Sequence, residues 1–392
     1  MANQQSHRHH YVPEWYQRRF LAPGQTAFQI LDLRPQEFRD KKGNLLGRAR
    51  AVFEKGPSAW FYEKDLYTVR WFGQTNDDIE KFLFGQIDKR GQKAFDALIA
   101  DDWTLLHNYY DRFFEFMDAM RLRSPKGLLF LRALLKPRTQ YELMMAMQQV
   151  RTMHCVMWGE GGREILTVPE DSRAHLIFSD HPVTFYNRHV FPADPTVPAY
   201  MDPHQQWQGT QTIFPLDRTR LAVFTHNEWG RNPNKKSARL NRTNARMFDN
   251  PLIRFDDWHR KRMLTEEQVL AVNYIIKMRA FRYIAAPSRD DLYPEKRLKN
   301  RMWDKVGAFL QPPSVAVNRQ VGYTVVGMAD GSYYFQDQHG QRPQSKEEYD
   351  HAAAQAKRDK EHIDRILRAH FERKARDENE GNSEPPENET SD

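Results

Sequence analysis

The sequence predicts an α+β fold: a helix-rich principal domain around a small, mainly antiparallel sheet, followed by a C-terminal hairpin and a charged helix. Three observations predict it. Ile79, Leu83, Ile87, Ala94 and Leu98 recur close to the 3.6-residue helical period. Short strand-like runs crowd between Glu164 and Phe224. Thr265 and Gln268 form a capping-box pattern ahead of the apolar stripe Val269, Val272, Ile276, Ala280 and Tyr283.

Taken in order, Pro13 suits the first turn of a short helix through Phe20, with Trp15, Tyr16 and Phe20 available to pack. AFQILDL (Ala27 to Leu33) reads as a strand, Lys42–Gly43–Asn44 as a turn, and Ala51 to Phe53 as a second extended piece. Helix is expected from Asn76 to Leu98, weakened by Gly85 and Gly91, then on through Met120, and again from Ser124 to about Val150. Pro137 should kink or split that last segment, because proline lacks the N–H the helix needs.

Beyond Gly161 and Gly162 come EILTV (Glu164 to Val168), HLIF (His175 to Phe178), TIF (Thr212 to Phe214) and LAVF (Leu221 to Phe224). The interval Phe191 to Pro203 is a long proline-rich loop, of the kind that is often functional. GYTVVGMADGSYYFQ (Gly322 to Gln336) alternates around Asp330–Gly331 and predicts a hairpin. A charged helix follows from about Lys346 to Arg376. The domain reading is therefore a principal domain over 1–286, an appendage over 287–376, and a disordered acidic tail over 377–392.

Charge is uneven. Of 392 residues, 59 are Lys or Arg and 52 are Asp or Glu, a net +7. The tail DENEGNSEPPENETSD holds seven acids and no base, so the body carries 59 − 45 = +14. Asn232 and Pro233 suit a helix start in the densest basic run, RNPNKKSARLNRTNAR (Arg231 to Arg246). On that helix Lys235, Arg239, Arg242 and Arg246 would form one basic stripe beside Asn234, Asn241 and Asn244, suited either to nucleic-acid phosphates or to plain solvation.

Other classes are excluded or disfavoured. No apolar stretch approaches the roughly 18 residues of a membrane span, and MANQQSHRHHYVPEW has no secretory core, so neither membrane nor export is expected. The single cysteine, Cys155, excludes internal disulfides and fits a reducing cytoplasm. The sequence holds no P-loop, dinucleotide glycine fingerprint, paired-cysteine zinc site, zincin motif or EF-hand loop.

The candidates for chemistry lie in two places. His7, His9 and His10 open the chain, and imidazoles ligate metals or transfer protons near neutral pH; one buried, hydrogen-bonded histidine is the structural alternative. LIFSDHPV (Leu176 to Val183) reads as a buried strand that ends by presenting Ser179, Asp180 and His181 in a turn fixed by Pro182. Asp180 there either binds a metal or closes an Asx turn, and the glycine pattern of a serine-hydrolase elbow is missing. Asn273 sits on the inward face of its helix and requires partners, since an unpaired buried amide costs roughly 1–3 kcal/mol. Arg138 follows the proline break, with Glu80 as its expected counterpart. Asp256–Asp257 reads as a charged loop.

Several motifs, in order, resemble a bacterial domain-of-unknown-function family, number 4238: HHYVPEWYQRRF (His9 to Phe20), FYEKDLYTV (Phe61 to Val69), the Asn76 to Leu98 helix with Glu80, LLKPRT (Leu134 to Thr139), LIFSDHPV, IFPLDRTRLAVF (Ile213 to Phe224) and VLAVNYIIKMRAFRYIAA (Val269 to Ala286). The resemblance spans about Arg8 to Ala286. It implies roles for His10, Pro13, Arg18, Glu80, Arg138, Ser179, Asp180, Pro182, Pro215, Leu216 and Asn273. The chain departs from that pattern at Gln17, where an apolar residue is usual, and at His181, where asparagine is common. The resemblance implies no particular reaction.

Two functions remain in view. One is a metal-dependent phosphodiesterase acting on nucleic acid, with His10 and Asp180 as ligands of a divalent metal ion or as acid–base groups, phosphate held by Arg18 or Arg138, Glu80, Ser179 and Asn273 in the same polar set, and the basic stripe positioning the polymer. The other is a non-catalytic module that binds nucleic acid or an acidic protein through Lys235, Arg239, Arg242 and Arg246, its remaining polar residues being structural. A small-ligand site under the Phe191 to Pro203 loop is a third option.

Overall fold

A computed structural model describes residues 8–71, 74–76, 84–197, 202–242, 258–313, 323–327, 333–337 and 345–381. His7, Glu80, Asn244, Arg246, Asp256, Asp257, the Asp330–Gly331 turn and residues 382–392 lie outside them. The chain divides into two compact units, one of residues 1–242 with 253–320 and one of 243–252 with 321–392.

The first unit opens with β1 (Arg8–His10) and α1 (Glu14–Arg18), the short helix that Pro13 predicted. Tyr16 of α1 is fully buried and its hydroxyl donates to Pro215 O at 2.7 Å, fixing the helix under the sheets. Then come β2 (Phe28–Asp32), β3 (Glu37–Arg39), β4 (Leu45–Arg48), β5 (Val52–Lys55), β6 (Tyr62–Lys64), β7 (Val69–Trp71) and β8 (Gln74–Asn76).

The helical layer is α2 (Gly85–Ala100), α3 (Trp103–Arg123), α4 (Pro125–Leu135) and α5 (Gln140–Glu160). Gly91, a weak helix former, is used for close packing: a Cβ there would lie 2.5 Å from the Phe116 Cβ of α3. The chain splits at Pro137 as expected, with Lys136 ending α4 in the left-handed region at φ 47 and Thr139 capping α5 through Glu142 N–H. Between α3 and α4 the chain turns at Ser124, and a Cβ on Gly127 would lie 2.2 Å from Arg121 O. Glycine therefore lets the first turn of α4 sit directly on the end of α3.

The strand region follows as β9 (Gly162–Thr167), β10 (Phe178–Ser179), β11 (Thr184–Asn187), β12 (Thr210–Pro215) and β13 (Arg220–Thr225), then α6 (Asn227–Arg231), α7 (Glu266–Arg279), β14 (Tyr283–Ala286) and α8 (Trp303–Val306). Two four-stranded antiparallel sheets result, in the orders β10-β14-β2-β5 and β11-β12-β13-β9. The α+β class holds. The capping box at Thr265 and Gln268 is formed in full, but α7 ends at Arg279 rather than Tyr283, because Tyr283 to Ala286 pair with β2 and β10. HLIF is likewise shorter than expected, since only Phe178 and Ser179 find a β14 partner.

Residues 287–313, grouped by composition with the appendage, belong to the first unit. Trp303 Nε1 donates to Asn187 O at 2.9 Å and Tyr186 Oη to Trp303 O at 2.8 Å. The core is strongly aromatic, with Tyr16, Phe20, Phe28 and Phe61 all buried around Phe178. In the second unit β15 (Tyr323–Gly327) and β16 (Tyr333–Asp337) pair antiparallel, and α9 (Lys346–Gly381) runs into the first residues of the acidic stretch. No helix among the described residues is long and apolar enough to cross a membrane.

Candidate functional site

The strand-end motif lies where the chain passes from one sheet to the other, β10 ending at Ser179 and β11 beginning at Thr184. Asp180 faces the start of β14. Its carboxylate accepts backbone N–H groups from Phe281 (2.9 Å), Arg282 (2.6 Å) and Tyr283 (2.9 Å), while its own N–H donates to Tyr283 O. Burial raises its pKa to about 6, against the pull of those three donors. The carboxylate thus holds the α7–β14 turn in place.

Ser179 is fully buried and its Oγ accepts the His181 N–H at 3.1 Å, an ST-type turn. Asn273 has the partners its position demanded. Its Oδ1 accepts Ile177 N–H at 3.2 Å and its Nδ2 donates to His175 O at 2.7 Å, tying α7 to the chain entering β10.

His10 stands on β1 opposite Tyr62, and its Nε2 lies 3.9 Å from Glu14 Oε1. Burial lowers its pKa. His9 is the structural histidine of the opening cluster: fully buried, stacked on Tyr67, and accepting Tyr67 N–H on Nδ1 at 3.0 Å. Arg18 is exposed and pairs with Glu14 at 3.3 Å. Arg138 is exposed too, with its backbone N–H donated to Glu142 Oε2; its expected counterpart, Glu80, lies outside the described residues. Among the described residues no three His, Cys, Asp or Glu side chains come together to hold a metal ion.

Over its described residues, 231–242, the basic run does not form the expected helix. α6 ends at Arg231 and residues 235–239 are turns. Asn234 accepts Lys236 N–H on its side chain and Ser237 donates to Asn234 O, local bonds that compete with a helix. Beyond them the chain pairs with residues 207–209, through Gln208 N–H to Leu240 O and the Trp207–Asn241 bridge. Arg242 is buried against Glu160, and Arg239 pairs with Asp194 and donates to His189 O. Lys235 and Lys236 stay at the surface.

His181 opens onto a centre that the sequence did not show. Ser124 Oγ lies 2.6 Å from His181 Nδ1, and His181 Nε2 lies 3.1 Å from Asp202 Oδ2. With the ring proton on Nε2 donated to Asp202, Nδ1 accepts the Ser124 hydroxyl. Lys126 donates to Asp202 Oδ1 and, at 2.7 Å, to Arg279 O. Arg279 in turn donates to Val190 O at 2.7 Å. All of these side chains are buried, as is Arg121, whose guanidinium lies 4.1 Å from the Phe185 ring centroid.

Burial lowers the His181 pKa to about 4, outweighing the Asp202 contact that raises it, so the ring is neutral at pH 7. For Asp202 burial acts upward, but Lys126 and the His181 hydrogen bond hold the carboxyl well below the usual range. Burial also lowers Lys126, Arg121 and Arg279. Ser, His and Asp in one hydrogen-bonded chain is the order that activates a nucleophile. Here the hydroxyl is fully buried and accepts Gly127 N–H as the cap of α4, so the chain of bonds joins the α3–α4 corner to the strand-end turn.

The signals that could have found this centre were faint: Arg121 in the apolar run FMDAMRL, and Asp202 inside the loop already marked for its length. No curated protein and no solved structure matches the chain. Residues 8–153, which include Arg121, Ser124 and Lys126, match the model of the family described as Protein of unknown function (DUF4238), the family that the sequence motifs resemble.

Proposed function

We infer that this chain is a non-catalytic binding module, in which the strand-end polar residues serve structure and an exposed basic turn docks the phosphate backbone of a nucleic acid. The observation that carries this is the segment 231–241. It places Arg231, Lys235, Lys236 and Arg239 at the surface and contains no acid. Asn232, Asn234 and Asn241 beside them are exposed and add hydrogen-bonding groups of the kind that contact sugar and phosphate. A metal-dependent phosphodiesterase built on Asp180 and His10 would have to draw on a carboxylate that already accepts three backbone N–H groups.

Fluorescence anisotropy with labelled single- and double-stranded RNA and DNA tests the proposal, alongside a gel assay for cleavage with magnesium, manganese or chelator. Binding is expected to weaken with salt and to survive chelation. In Lys235→Ala/Lys236→Ala the salt slope should fall by about 2, one for each phosphate contact removed. No binding at about 50 mM salt, or metal-dependent cleavage that disappears in Asp180→Ala, would overturn it.

A further inference from the structure

Half-buried Trp15, Trp60 and Trp103 pack on the main core. Trp207, half-buried as well, stands instead on the basic segment, bridged to Asn241 in an antiparallel pairing. Beside that bridge Gln208 N–H donates to Leu240 O at 2.8 Å and Gly209 N–H to Ala238 O at 3.3 Å. A Cβ on Gly209 would lie 2.9 Å from Ala238 Cα, so the two pieces of chain touch and the backbone that carries the indole is fixed against the turn. In that pairing Arg239 and Asn241 fall on the same face as Trp207. The Arg239 guanidinium lies 6.0 Å from the Trp207 ring centroid. The exposed His204 ring lies 6.1 Å from it, tilted by 40°, and accepts Gln206 N–H on Nδ1 at 3.2 Å.

We propose that the nucleic acid docked by the 231–241 turn is single-stranded, and that one of its bases stacks on Trp207 with His204 as the flanking ring. The inference rests on the phosphate-docking reading and names its substrate. In a duplex the base faces are stacked on one another, whereas an unpaired base offers its face to an aromatic side chain. Asp194 offsets the charge of Arg239 and Glu160 that of buried Arg242, so the phosphate contacts fall chiefly to Lys235 and Lys236. Arg239 is left as the cationic neighbour of the indole. Aromatic rings beside cations on one rigid piece of backbone are what a single strand requires, and stacking of this kind discriminates little among bases.

The test follows fluorescence anisotropy of the full chain with labelled oligo(dT) and oligo(U) of about 16 nucleotides, the oligo(dT)·oligo(dA) duplex, and an abasic strand of equal length that keeps the phosphates and lacks the bases. At about 150 mM salt, which weakens phosphate contacts and spares stacking, the single strands should bind roughly 5-fold or more tighter than the duplex or the abasic strand. Trp207→Ala should weaken single-strand binding by roughly 5- to 100-fold and leave the salt slope unchanged, because it removes no phosphate contact. Trp207→Phe keeps a ring and should retain most of the affinity, while losing the quenching of indole emission that oligo(dT) causes in the wild type. Single strands held no tighter than the abasic strand and the duplex, or held equally well by Trp207→Ala, would overturn the stacking site and leave phosphate docking standing. Failure of every probe to bind would overturn both. Should Trp207→Ala not fold, Trp207→Leu, which keeps apolar volume without a ring, and the abasic comparison decide.

Discussion

Ser124 and His181, 57 positions apart, meet at 2.6 Å between Oγ and Nδ1, and through that contact the cap of α4 is bonded to the turn that links the two sheets. Ser124 also accepts Gly127 N–H and lies within hydrogen-bond reach of Arg121 O. Ser124→Ala should therefore cost about 2 kcal/mol, more than a surface cap, since it also leaves a buried imidazole nitrogen unpaired. Urea denaturation measures this. A loss no larger than about 0.5 kcal/mol would mean that the contact contributes little.

His181 and Asp180 titrate in opposite senses over nearly the same pH window. The folded pKa of His181 is about 4 against 6.5 for the free group, so the unfolded chain takes up its proton first and stability falls as pH drops from about 6.5 to 4. Asp180 has a folded pKa of about 6 against 3.8, so the native state holds its proton longer and stability rises as pH drops from about 6 to 4. The two contributions oppose each other in the wild type. His181→Asn should become relatively more stable towards pH 4, and Asp180→Asn relatively less. Denaturation midpoints at pH 4, 5, 6 and 7 resolve this, and parallel profiles in the two variants would contradict it.

Asn273 serves two backbone groups at once, Ile177 N–H and His175 C=O. Asn273→Leu fits an apolar helix face but strands both groups, with an expected loss of about 2–4 kcal/mol. Asn273→Asp keeps the acceptor but sets a carboxylate oxygen against His175 O in a buried site, and should cost at least as much. Hydrogen exchange at Ile177 N–H offers a local readout.

Gly127→Ala should destabilise more than most small substitutions on a helix. The added methyl carbon would sit 2.2 Å from Arg121 O and 2.6 Å from Leu122 O, both backbone atoms, so α4 must shift as a whole. A loss of roughly 2 kcal/mol or more is expected, despite the better helix propensity of alanine. An unchanged or raised thermal midpoint would show that the α3–α4 corner is looser than this.

Asn273 and the basic run mark the boundary of what was legible. Both were singled out from the sequence for polar residues at helical spacing. For Asn273 the helix formed, the inward face was set by Val269, Val272 and Ile276, and partners followed of necessity. For Lys235, Arg239 and Arg242 the spacing meant nothing, because Asn234 and Ser237 favour a turn and Glu160 draws Arg242 inward across 82 positions.

By itself, then, the sequence determined the local features of this protein: the α+β class, the break at Pro137, the capping box at Thr265, and a strand that ends at Ser179–Asp180. Each depends on periodicity, capping or backbone restriction within a few residues, and those forces act before the chain is folded. The tertiary structure alone decided which charged groups would meet. Lys126 and Asp202 are 76 positions apart, and Lys126 reaches Arg279 O across 153. Nothing local encodes such contacts. They arise because the apolar faces of α3, α4 and α7 and the two sheets exclude water around them, and a charge carried into that interior is held by whatever partner the packing brings within reach.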